Sequence, residues 1–168
     1  MKLTLEGIKD KQLWSQAGIE LPSYDLEELA QRTKEAPVWV HFGIGNIFRI
    51  FIGSIADRLI TDGLMDRGIV CVETFDYETI DRIYKPYDNL SLSVILNNDG
   101  TTEKRVFGCF TEARKGVPDG TEDRQRLREI FANPSLQMVS FTITEKGYAL
   151  RGADGQYYRF IQDDIDYG

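Results

Sequence analysis

The chain has 168 residues, 42% of them hydrophobic, with two cysteines and a formal net charge of -7, and a pI near 4.8. That length and apolar content fit one domain with a sizeable core, and the acidic balance argues against a nucleic-acid or anionic-membrane surface. No apolar run is long enough to span a bilayer, and no segment has the basic, apolar, small-residue order of a signal peptide, so a cytoplasmic protein is expected.

Residues 1–36 read as an arm ahead of a sheet. Leu13, Trp14 and Ile19 are scattered apolar anchors, Pro22-Ser23 opens a helix start, and Leu26 and Leu29 mark a short amphipathic helix through Arg32. The main domain is expected from residue 37. Val38, Trp39, Val40 and Phe42 have the composition of a strand covered on both faces. Gly43 and Gly45 follow at once, and then Ile47, Phe48, Phe51, Ile52, Ile55, Leu59 and Ile60 recur at helical spacing. A glycine pair at a strand-to-helix junction lets backbone N–H groups approach an anion at the positive end of the helix, as a dinucleotide's pyrophosphate is held. The fingerprint is incomplete, because Phe48 stands where a third small residue usually packs helix against strand. Arg49 follows in the first turn, close to where a phosphate would sit. Strand–glycine–helix turns also occur in α/β domains that bind no nucleotide, so the motif alone leaves a purely structural reading open.

His41 is the one histidine, and it lies in this first strand. Without a partner base it reads as a hydrogen-bonded strand residue rather than a catalyst. Cys71 and Cys109 lie in apolar, strand-like segments without metal-ligand spacing and read as reduced core residues. No zinc site is expected. No Gly-x-Ser-x-Gly elbow occurs and no Walker lysine follows the glycines, which removes the usual hydrolase and NTPase readings.

Asp62-Gly63 and Asp66-Arg67-Gly68 close the helix after the glycine turn, and Ile69 to Val72 form a second buried strand. It ends at Glu73-Thr74-Phe75-Asp76. A carboxylate at this tip accepts hydrogen bonds from the adenine ribose in dinucleotide-binding folds. Glu73 is assigned that contact, and its charge would repel a 2′-phosphate, favouring NAD over NADP. Asp76 is read as the N-cap of a helix running through Ile80 and Ile83. Lys85-Pro86-Tyr87-Asp88 breaks that helix. Leu90, Leu92, Val94 and Leu96 then alternate with polar partners, and Asn98-Asp99-Gly100 turns into Lys104 to Phe107, predicting an inserted β-hairpin with one buried face. A helix is predicted over Asp123 to Phe131, with Arg124, Arg126 and Arg128 on a solvated, charge-balanced face. A strand from Met138 to Thr144 leads into Glu145-Lys146-Gly147-Tyr148. Glu145 and Lys146 are either ligand-facing residues at a strand tip or a surface pair at a glycine turn. The tail from Ala149 to Gly168 is expected to lack a helix. The fold class expected is a Rossmann-like, doubly wound α/β domain with a mostly parallel sheet.

Three strings, VHFGIGNIFR, VETFDYETIDRIYKPYDNL and VSFTITEKGY, resemble the N-terminal part of the mannitol dehydrogenase family of polyol and uronate dehydrogenases. The resemblance covers nearly all of the chain from Val38 to Tyr148. It implies metal-independent hydride transfer between NAD(P) and a sugar alcohol or sugar acid, with D-mannonate and D-fructuronate favoured. It places Gly43, Gly45, Asn46 and Arg49 on the family's phosphate-binding turn and Glu145 near the active site. The family's Lys-x-x-x-x-Asn-x-x-His motif does not occur here, nor does its large helical substrate domain. The chain is therefore expected to be the cofactor-binding portion, residues 37–168, of such an enzyme, inactive alone and prone to self-association. A non-catalytic nucleotide-binding or assembly module is the alternative.

Overall fold

The computed structural model describes residues 1–117 and 120–167, with the side chains of residues 145 and 146 left aside. Its centre is a sheet of four parallel strands, β1 (Trp39–Phe42), β2 (Ile69–Glu73), β5 (Phe110–Lys115) and β6 (Met138–Phe141), in the order β5-β2-β1-β6. Val40 lies opposite Val70 on one side and Val139 on the other. The Rossmann-like α/β class holds.

Strand alternation divides the core into two layers. Trp39, Ile69 and Cys71 face a cluster with Ile44, Phe48, Ala56 and Ile60, contributed by the segment after β1 and by helix α3 (Gly53–Thr61). Val40, Val70 and Val72 face the other way, onto Leu127 and Ile130 of helix α4 (Glu122–Ala132). Cys71 and Cys109 are fully buried free thiols, as expected of core residues.

The N-terminal segment holds a 3₁₀ turn (Gly7–Lys9), helix α1 (Lys11–Gln16) and helix α2 (Leu26–Glu35). Side chains set the helix starts. The carboxylates of Asp10 and Asp25 accept from Leu13 N–H and Glu28 N–H, and the Thr121 hydroxyl accepts from Arg124 N–H at the start of α4. Strands β3 (Ser91–Leu96) and β4 (Thr102–Phe107) form the expected antiparallel hairpin as a separate two-stranded sheet. Glu20 bonds to the backbone of Lys104 and Val106 along its edge.

The structure corrects three expectations and adds a strand that the sequence reading did not include. First, the hairpin's apolar face is covered only near its base, where Leu90 and Val106 meet Ile8, Trp14 and Ile19, so Val94 and Leu96 are left exposed. The face turned to the body carries Ser91 and Ser93 instead. Second, β5 is a strand of the main sheet that alternation did not reveal, because its buried Glu112 breaks the apolar pattern. Third, Arg126 is no solvated residue. Its Nη2 donates to the buried Glu112 at 2.6 Å and to the Lys34 carbonyl at 2.8 Å, joining α4 to β5 and α2. Fourth, the tail expected to lack a helix contains α6 (Arg159–Tyr167), in which Phe160, Ile161 and Ile165 recur at helical spacing. Among the described residues no helix is long and apolar enough to cross a membrane.

Candidate nucleotide-binding site

All four sheet strands are parallel, so the ends of β1, β2 and β6 open on one edge, the edge where open α/β sheets bind ligands. Gly43 leaves β1 there at φ +86°, a left-handed conformation that disfavours side chains. A Cβ on it would also lie 2.3 Å from the Thr142 carbonyl oxygen. Its N–H donates to Val72 O at 3.0 Å, and its carbonyl accepts the Thr142 hydroxyl. The turn is thus tied to both neighbouring strands.

Gly45 differs. It is exposed, and a Cβ built on it would meet nothing within 4 Å. The space that a side chain would take is open to a ligand approaching the backbone. Helical backbone opens at Asn46, continues through a π-helical turn (Phe48–Ile52) and runs into α3. The first N–H groups of such a helix have no acceptor within it. Asn46 Oδ1 accepts from Arg49 Nη2, while Arg49 Nη1 is buried with no hydrogen-bond partner. Tyr84, from a second π-helical turn (Ile80–Tyr84), lies with its ring centroid 6.0 Å from the guanidinium carbon and donates its hydroxyl to Ile44 O at 2.9 Å. Nothing in the sequence pattern marked Tyr84 as a support for the turn.

Phe48 occupies the place of the small third residue by stacking on His41, with centroids 4.1 Å apart and ring planes at 13°. The close approach of helix and sheet is displaced to Gly53, where a Cβ would lie 2.5 Å from Phe110 Cζ. His41 itself is fully buried, and burial lowers its pKa to about 4, so the ring is neutral. It bonds to hydroxyls of Ser140 and Thr142, as a structural strand histidine should.

Glu73 is brought to the turn, in a more enclosed position than the sequence suggested. Its Oε1 accepts from the N–H groups of Thr74, Phe75 and Asp76, and its Oε2 from Ile44 N–H at 3.4 Å. The carboxylate therefore joins the β2 tip to the glycine turn, and Oε2 keeps the spare acceptor capacity. Asp76 is exposed beside it. The side-chain N-cap read from the sequence does not form: its carboxylate takes the Thr79 hydroxyl, and its backbone carbonyl accepts from Thr79 N–H at 3.1 Å. Glu145 begins a short helix, α5 (Glu145–Tyr148), three residues beyond Thr142 on the same edge of the sheet; its side chain lies outside the described residues. A cavity of about 380 Å³ opens nearby, walled by Phe42, Thr74, Gly116, Leu127 and Phe131 and rimmed by Arg124 and Arg128.

No family model matches the chain. Individual proteins do. A D-mannonate oxidoreductase of Thermotoga maritima is 47% identical over 168 residues, which is 100% of this chain and 31% of the relative. The D-mannonate oxidoreductase of Escherichia coli is 30% identical over 138 residues, 80% of this chain and 26% of that protein. Among solved structures, the Pseudomonas fluorescens mannitol 2-dehydrogenase ternary complex with NAD and D-mannitol superposes with a TM-score of 0.70 at 26% identity, covering 99% of this chain and 32% of its own. The resemblance to the mannitol dehydrogenase family holds over the whole chain. The chain spans about a third of the length of the Thermotoga relative and of the Pseudomonas structure.

Proposed function

We propose that this chain supplies the NAD-binding part of a metal-independent dehydrogenase that interconverts a sugar alcohol or aldonate with its keto form, with D-mannonate and D-fructuronate as the favoured pair. The observation that carries the reading is Arg49 Nη1, buried without a protein partner beside a glycine turn whose Gly45 leaves room for a ligand. An unsatisfied guanidinium N–H next to free helix N–H groups is a site for an anion, and a pyrophosphate fits it. The likeness to mannonate oxidoreductases supports the substrate class, and the NAD complex of the structural relative supports the cofactor.

In this reading Gly43 shapes the turn, while Gly45, Asn46 and Arg49 hold the phosphates. Glu73 Oε2 and the exposed Asp76 place negative charge at the tip of β2, which favours a ribose hydroxyl over a 2′-phosphate and hence NAD over NADP. The apolar walls of the cavity beside Phe42 and Phe131 suit an adenine ring. The nicotinamide, when bound, supplies the hydride chemistry. Glu145 is a neighbour of the reacting end and is not assigned to catalysis.

Gly45→Ala separates binding from folding, because the added methyl meets no protein atom. The variant is expected to keep its thermal midpoint and to bind NAD roughly tenfold more weakly by calorimetric titration. An unmodified chain that binds neither NAD nor NADP would remove the proposal. The isolated chain is expected to show no turnover of fructuronate, tagaturonate or mannitol.

A further inference from the structure

Five groups beneath the glycine turn form one continuous hydrogen-bonded line. Trp39 Nε1 donates to Ser140 Oγ at 2.7 Å, Ser140 Oγ meets His41 Nδ1 at 2.7 Å, His41 Nε2 meets Thr142 Oγ1 at 3.2 Å, and Thr142 Oγ1 meets the Gly43 carbonyl oxygen. The directions of all these bonds follow from donor counting. A carbonyl oxygen only accepts, so the single Thr142 hydroxyl proton lies toward Gly43. Thr142 Oγ1 must then accept from His41, which puts the ring proton on Nε2. A neutral imidazole has one such proton, so Nδ1 accepts, and the Ser140 hydroxyl donates to it while accepting from Trp39. Only one arrangement satisfies every group.

We infer that His41 and Thr142 are positioning residues for the phosphate-binding turn, with His41 held as the Nε2–H tautomer in a relay that runs from Trp39 to the Gly43 carbonyl. The inference rests on the cofactor reading above and names what orients that site. The peptide joining Gly43 to Ile44 is gripped on both sides: its carbonyl accepts from Thr142, and its N–H donates to Glu73 Oε2 at 3.4 Å. Fixing that plane fixes the direction in which the next N–H groups, those of Gly45 and Asn46, leave the turn. Phe48 stacks on the imidazole, so the relay also supports the first turn of the helix, where the usual small residue is missing. His41 and Thr142 touch no phosphate in this scheme. They act through Gly43.

The histidine is unique in the chain, so ¹⁵N-histidine labelling reports this one ring. The expected spectrum of the unmodified chain has a protonated Nε2 and an unprotonated Nδ1 at pH 7. Titration with NAD should give roughly tenfold weaker binding for Thr142→Val, which cannot donate to Gly43, and near-unmodified binding for Thr142→Ser, which can. A protonated Nδ1, or NAD binding by Thr142→Val equal to that of the unmodified chain, overturns the relay. The spectrum decides even if Thr142→Val fails to fold. Absence of NAD binding by the unmodified chain is a different result: it removes the cofactor reading and the positioning role with it.

Discussion

Burial pulls the imidazole of His41 from 6.5 down to about 4, and in an unfolded chain the ring would return to its ordinary value. Between those two pH values the unfolded state binds a proton that the folded state refuses. The stabilisation from the neutral ring is therefore complete above pH 6.5 and is lost as the pH falls toward 4. The loss is expected to reach about 2–3 kcal/mol, measured as the pH dependence of urea unfolding. His41→Gln, whose side chain does not titrate, should lack that part of the slope; an unchanged slope would show that other groups produce it. Glu112 adds to the same loss at lower pH. Burial works against its charge, but Arg126 and Arg114 outweigh burial and hold it below its ordinary value. Its contribution is present above pH 4.5 and fades as the pH falls through the folded value. Arg126→Met leaves this buried carboxylate with Arg114 alone, and a cost of roughly 2–3 kcal/mol is expected in the same unfolding assay.

At the level of elements, the junction between β1 and α3 shows what spacing can reveal and what it cannot. The strand, the glycine pair and the amphipathic helix were legible, because apolar periodicity and a left-handed glycine leave local signals. The solution to the bulk of Phe48 was not. It depends on a ring contact with His41 and on the π-helical turn that carries Phe48 into α3, and neither has a sequence period. The contact that replaces the missing small residue comes at Gly53, against Phe110. An alanine would ordinarily favour a helix over glycine by about 1 kcal/mol. Here Phe110 is buried against Phe48 and Tyr84 and has little room to yield. Gly53→Ala is expected to destabilise the chain by about 1–3 kcal/mol, seen as a lower thermal midpoint. Glu73 teaches a similar lesson: its place at the β2 tip could be read from the chain, but the N–H groups that would turn it inward could not. The hairpin shows the limit of alternation, which finds two faces and does not say which one meets the core.

At the scale of the whole molecule, β6 is an edge of the sheet, and Met138, Val139 and Phe141 on it are all more than a third exposed. An apolar strand with an open edge invites pairing with another strand. The isolated chain is expected to self-associate through a second copy at this edge, so that sedimentation shows a mass rising with concentration and Phe141→Lys weakens it. A monomer at all concentrations would contradict this. The opposite situation holds at the two thiols. Cys71 lies in the middle of β2, Cys109 stands just before β5, and burial raises the pKa of both far above the ordinary range. Neither thiolate can form, nor can a reagent arrive, until the sheet itself comes apart. In a chain with no other cysteine, the rate of thiol modification becomes a clock for the opening of the core around the central sheet, silent to any motion of the tail.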